Sequence, residues 1–101
     1  MTHHALVRWL PSEERGRAGM PPTLRYVGIS RFEDDPPSWP DGAWSVELKF
    51  TQPPAEQSSS SQCEAAVQFL FDNAPQHRLH RGVRFSVYEG IQRVADVDVL
   101  D

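Results

Sequence analysis

The sequence predicts an all-β domain, a barrel or a sandwich, and three observations carry that prediction. Six short segments rich in β-branched and aromatic residues are separated by proline, glycine or polar clusters. The clearest, Ala43 to Gln52, alternates Trp44, Val46, Leu48 and Phe50 with Ser45, Glu47, Lys49 and Thr51, the two-residue period of a half-buried strand. No segment carries three convincing turns of helical apolar spacing.

In chain order, His3 and His4 read as mobile surface groups near a terminus, because no acidic or cysteine partner stands at metal-ligand spacing. Ala5 to Leu10 is the first predicted strand and Leu24 to Phe32 the second. Asp34 to Gly42, with three prolines around Ser38-Trp39, is a surface connector, since proline lacks the donor a ladder uses. Ala43 to Gln52 is the third strand. Gln52 to Gln62, with paired prolines and four consecutive serines, is a second connector. Cys63 to Asn73 has apolar residues at both helical and strand spacings. Its Val67-Gln68-Phe69-Leu70-Phe71 centre decides for a strand, Ala66 to Phe71. The fifth strand, Val83 to Glu89, puts Val83, Phe85 and Val87 on one face and Arg84, Ser86 and Tyr88 on the other. Glu89-Gly90-Ile91-Gln92 reverses the chain into the sixth strand, Arg93 to Leu100, because Gly90 accepts a positive φ.

The 101 residues, 11.5 kDa, fit one domain over 1–101 and leave little material for a deep catalytic cleft. A net charge of −4, with nine arginines and one lysine, argues against an autonomous nucleic-acid binder while permitting a local basic patch. No apolar run reaches the roughly 18 residues that would span a bilayer, and the first ten residues lack the pattern of a signal peptide. No membrane association is expected. The single Cys63 has no disulfide partner, so a reducing compartment, the cytoplasm, is the expected location.

Candidate chemistry is sparse. Gln76 to Arg84 gathers His77, His80, Arg78, Arg81 and Arg84, the densest basic run, whose alternatives are a solvated turn and an anion site. Cys63 would need a base to become a nucleophile, and nothing in the sequence brings His77 or His80 to it. Glu33, Asp34 and Asp35, and Asp96, Asp98 and Asp101, lack the spacing of a calcium loop and read as surface charge. Phosphate-loop, dinucleotide and nucleophile-elbow motifs are absent, so no catalytic residue, metal or cofactor is expected. Among the tryptophans, Trp9 and Trp44 fit strand periodicity as core or rim residues. Trp39, flanked by prolines, is the better candidate of the three to meet a partner, while packing over a barrel end is the reading its loop position favours.

The stretch Arg81-Gly82-Val83-Arg84-Phe85-Ser86-Val87-Tyr88-Glu89-Gly90, followed by Val94 and Val99-Leu100, resembles the closing hairpin of the third domain of translation elongation factor Tu. Ala5-Leu6-Val7-Arg8-Trp9-Leu10, followed by Glu13-Glu14-Arg15-Gly16-Arg17 and Pro21, resembles that domain's first strand and loop in the same order. The resemblance implies a closed, six-stranded antiparallel β-barrel without catalytic residues. In the family this barrel touches the T stem of tRNA, and the implied counterparts here are Arg17, Glu89 and Gly90. Ala18-Gly19 stands where the family has His-Thr, Tyr88 where it has arginine and Ile91 where it has a second glycine, so several tRNA donors are lost. The expected function is therefore a noncatalytic cytoplasmic interaction module that binds another protein through loops and hairpin ends, with Trp39 as an anchor. The alternative is an RNA-binding module using Arg17, Arg78, Arg81, Arg84 and the Glu89-Gly90 turn.

Overall fold

In the computed structural model, which describes residues 2–10, 23–51 and 62–101, six strands form a closed antiparallel barrel. They are β1 (His3–Trp9), β2 (Arg25–Phe32), β3 (Ser45–Lys49), β4 (Gln62–Phe69), β5 (Arg84–Glu89) and β6 (Gln92–Val99). Around the ring the order is β1-β4-β3-β2-β5-β6, and β6 pairs with β1 to close it. Each of the six strands thus has two neighbours, so among the described residues there is no open edge for another chain to extend. No helix among the described residues is long and apolar enough to cross a membrane.

The alternation read from the sequence decides which side chains fill the barrel. Ala5, Val7 and Trp9 of β1, Val46 and Leu48 of β3, and Phe85 and Val87 of β5 are all buried, while their neighbours face outward. Antiparallel register sorts the large rings into two end layers. Trp9 meets Tyr26 edge-on at 5.5 Å and Phe50 at 6.2 Å at one end. Phe32 lies 4.9 Å from Phe85 and 6.3 Å from Phe69 at the other. Aliphatic side chains such as Val7, Leu48, Val67 and Val87, each 0 % exposed, fill the middle. Truncating one of these to alanine typically costs about 2–5 kcal/mol for leucine and less for valine, because the surrounding ring relaxes only partly into the cavity.

Two inward positions are not apolar side chains. Ser30 is buried, but its hydroxyl donates to the Trp44 carbonyl at 2.7 Å, so no polar group is left unsatisfied there. Gly28 sits where a Cβ would come within 2.5 Å of Val87 Cγ1 and 3.1 Å of the Tyr88 carbonyl, so β2 and β5 approach closely only because the side chain is missing. In β6, Val87 pairs with Ala95 and Tyr88 with Arg93, skipping Val94. Val94 and Ala95 are consequently both buried, the signature of a bulge that resets the alternation.

Three sequence expectations are corrected. The first strand begins at His3, because His3 and His4 pair with Val67 and Ala66 of β4. His4 Nε2 lies 2.6 Å from Glu64 and the His3 ring 3.2 Å from the Asp101 carbonyl, so these are strand residues with partners rather than mobile terminal groups. The fourth strand occupies Gln62–Phe69 instead of Ala66 to Phe71; Phe71 leaves the ladder and is 54 % exposed. The connector expected to run to Gln62 therefore ends before it. The next connector supplies Ala74 and Leu79, both buried as part of the core cluster, with one 3₁₀ turn at Gln76–Arg78.

Candidate binding surface

Cys63 points inward from β4, where the Trp9 indole donates to its Sγ at 3.2 Å. Burial pushes its thiol pKa up, only partly opposed by that hydrogen bond. A raised pKa and an apolar setting make it a core side chain and a poor nucleophile. Among the described residues no group of three or more histidine, cysteine or acidic side chains is placed to hold a metal ion.

The basic run stays together at one barrel end, but the fold gives two of its arginines carboxylate partners. Arg78 lies 4.1 Å over the centroid of Phe32 and pairs with Asp34 and, at 3.1 Å, with Asp35. Burial pulls its pKa down, but the hydrogen bonds to Asp35 and Asp34 together outweigh this and hold it above the usual arginine value. Asp35 in turn accepts the Phe32 backbone N–H at 2.7 Å. Arg84 donates to Asp98, which raises its pKa, and Asp98 also receives Arg8 at 3.2 Å. Arg81 is exposed and has no ion-pair partner among the described residues. A groove of about 820 Å³ runs beside this end, bounded by Phe32, Asp34, His77, Arg78, His80 and Arg84, so its two arginines are already compensated by aspartates.

Glu89 and Gly90 lie elsewhere. Antiparallel β5 begins with Arg84 at the Phe32 end and finishes with Glu89 at the Trp9 end, a separation of roughly 17 Å at about 3.3 Å per residue. Gly90 has φ +63° and Ile91 a negative φ, the sign pattern of a two-residue type II′ hairpin turn. Ile91 at its tip is 90 % exposed. Arg17 and its Glu13 to Pro21 surroundings lie outside the described residues. Of the residues expected to contact RNA, the fold therefore brings Arg78, Arg81 and Arg84 to one end and leaves Glu89 and Gly90 at the other.

Trp39 lies on the outer wall rather than over a barrel end. Its connector folds back through successive turns, and the indole N–H donates to the Ser30 carbonyl at 2.9 Å. The half-buried ring stands 4.5 Å from that of Tyr88, at 60°. The guanidinium of Arg31 lies 5.0 Å from the Trp39 centroid and donates to the Tyr88 hydroxyl at 3.3 Å. Arg31 projects outward from β2 and Tyr88 from β5, and the Ile29 to Tyr88 and Arg31 to Ser86 pairings set them side by side. Beside the cluster is a second groove of about 410 Å³, lined among others by Arg31, Arg84, Ser86, Arg93, Glu33 and Asp96.

Arg31 was missed by sequence reasoning. Its outward position follows from the inward Phe32 beside it, but its meeting with Tyr88 depends on a strand pairing between residues 57 apart in the chain. Comparison with known proteins returned no matching family model and no similar curated protein.

Proposed function

We propose that this chain is a noncatalytic binding module, resembling the third domain of elongation factor Tu, that docks a protein partner by surface complementarity. The observation that supports it most is the contact of Trp39, Arg31 and Tyr88 on the outer wall. Tryptophan, tyrosine and arginine are the residue types most enriched where interfaces concentrate their binding energy, because they combine large area with few lost rotamers or a directional charge. Here the three are held against one another before any partner arrives, which lowers the ordering cost of binding.

The interior supports a surface mechanism. Side chains fill it from one aromatic end layer to the other, and its one thiol is held protonated by burial. A protein partner is favoured over RNA because Arg78 and Arg84 already carry carboxylates and the chain as a whole is acidic. The cytoplasm remains the inferred location, resting on the single unpaired cysteine.

The test is affinity capture from source lysate with wild-type protein and Trp39→Ala, each with and without nuclease, followed by mass spectrometry. A specific protein retained after nuclease and weakened by roughly 30-fold or more in the variant is the expected result. Circular dichroism confirms that the variant keeps its barrel. Capture that nuclease abolishes, or that Trp39→Ala leaves intact, contradicts the reading.

A further inference from the structure

We propose that the Arg31 cluster receives a side-chain carboxylate from an acidic segment of the partner, an inference that rests on the protein-binding reading above. Among the described residues Arg8, Arg25, Arg78, Arg84 and Arg93 each pair with an aspartate or glutamate of the barrel itself. Arg31 does not. It is nonetheless positioned, by the Trp39 ring on one side and by the Tyr88 hydroxyl that takes one of its N–H groups. A guanidinium has five N–H donors in a planar fork, so the neutral phenol leaves its charge uncompensated and most of its donors available. That fork matches a carboxylate in a two-bond arrangement.

The groove next to it leaves Arg31 as the available cation. Of the other arginines along it, Arg84 is held by Asp98 and Arg93 by Asp96, so Arg31 is the one without an ion-pair partner among the described residues. On a chain of net charge −4 a single free guanidinium offers little to a run of phosphates, whereas one carboxylate needs only that fork. The rings of Trp39 and Tyr88 add apolar area beside the fork, so an acid next to an aliphatic or aromatic residue fits this surface. Because the barrel is closed, the partner segment cannot be added as a seventh strand and must be read through its side chains.

A random peptide library displayed on phage provides the probe. Selection on wild-type protein is expected to enrich Asp or Glu beside an apolar residue, and synthetic peptides made from the winners should lose about tenfold in affinity on Arg31→Gln. Arg31→Lys keeps the charge but not the fork, and the same peptides should weaken on it as well. Binders that depend on Trp39 and Tyr88 but carry no acid, or that ignore Arg31→Gln, overturn the carboxylate inference while leaving the protein-binding reading in place. Selection that yields no binder sensitive to Trp39→Ala or Tyr88→Ala overturns both. So does a random single-stranded RNA 20-mer that binds through Arg31 where no peptide does. Circular dichroism of each variant separates lost binding from lost folding.

Discussion

Arg78 and Arg31 each lie over an aromatic ring, 4.1 Å from the Phe32 centroid and 5.0 Å from the Trp39 centroid, yet only Arg78 meets carboxylates. At the barrel end, Arg78 joins the connector after β4 to Asp34 and Asp35, which open the connector after β2. Asp35 also receives the Phe32 N–H, so one guanidinium ties two loops to the ring layer that closes the core. On the wall, Arg31 meets a phenol and an indole face and, among the described residues, nothing of opposite charge. The difference teaches how to separate a structural cation from an available one in a small barrel. The aromatic platform is common to both, and the internal counter-charge distinguishes them.

The sharpest way to break this contrast is to remove each side chain in turn. Arg78→Ala strips a guanidinium that is 19 % exposed from Asp35, which is 11 % exposed, and leaves that acid without its cation. The expected loss is about 2–3 kcal/mol, below the cost of breaking a fully buried pair because water still reaches both partners. Arg31→Ala removes an exposed side chain without stranding a charge and should cost less than about 1 kcal/mol. Urea unfolding at neutral pH, compared at matched slope, measures both. Equal losses would make Arg31 a structural residue and remove the ground for its proposed role.

A smaller effect divides the two acids that hold Arg78. Asp35→Asn weakens both the pair and the hydrogen bond from Phe32 N–H, and should cost roughly 1–2 kcal/mol. Asp34 is 82 % exposed, and Asp34→Asn should stay within about 0.5 kcal/mol. The same urea midpoints check the ranking. A reversal would show that the exposed acid, not the one tied to the backbone, holds the latch.

The barrel itself was legible because period-two alternation is a local property. Trp44 to Phe50 and Val83 to Val87 reveal their inward faces to anyone counting by twos. The fourth strand was misplaced because its inward residues begin with Cys63 and Ala65, small side chains that signal weakly, while Leu70 and Phe71 look like strand and lie beyond Phe69. His3 and His4 join the barrel only because β4 lies alongside, which no local pattern shows. The binding surface was half legible for the same reason. Trp39 stood out among prolines and Tyr88 was placed outward, but the β2 to β5 pairing that carries Arg31 to them is a long-range consequence of closure. The basic run was visible as composition, and its compensation by Asp34, Asp35 and Asp98 was not.

Glu47 extends the contrast to the opposite sign and to the wall of β3 and β4. It faces outward by alternation yet is only 7 % exposed, because Gln68, Arg25 and Lys49 close over it. The hydrogen bond from Gln68 and then that from Arg25 hold its carboxyl below the usual glutamate value, outweighing a burial effect that raises it. A pKa lowered by folding contributes stability that is fully present above the ordinary value of 4.5 and is lost as pH falls through the lowered one. Glu47→Gln should therefore be less stable than wild type by about 1 kcal/mol at neutral pH, and the gap should narrow as the pH falls below 4.5 toward the lowered value. Arg31→Ala removes no carboxylate pair among the described residues, so its small stability difference should stay level across the same window. Urea unfolding of both variants at about pH 7 and about pH 3 tests the pair. A gap for Glu47→Gln as large at about pH 3 as at about pH 7 would assign its stabilisation to packing instead of to ionised contacts, and a gap for Arg31→Ala that closes in acid would reveal a carboxylate partner for Arg31 within the chain itself.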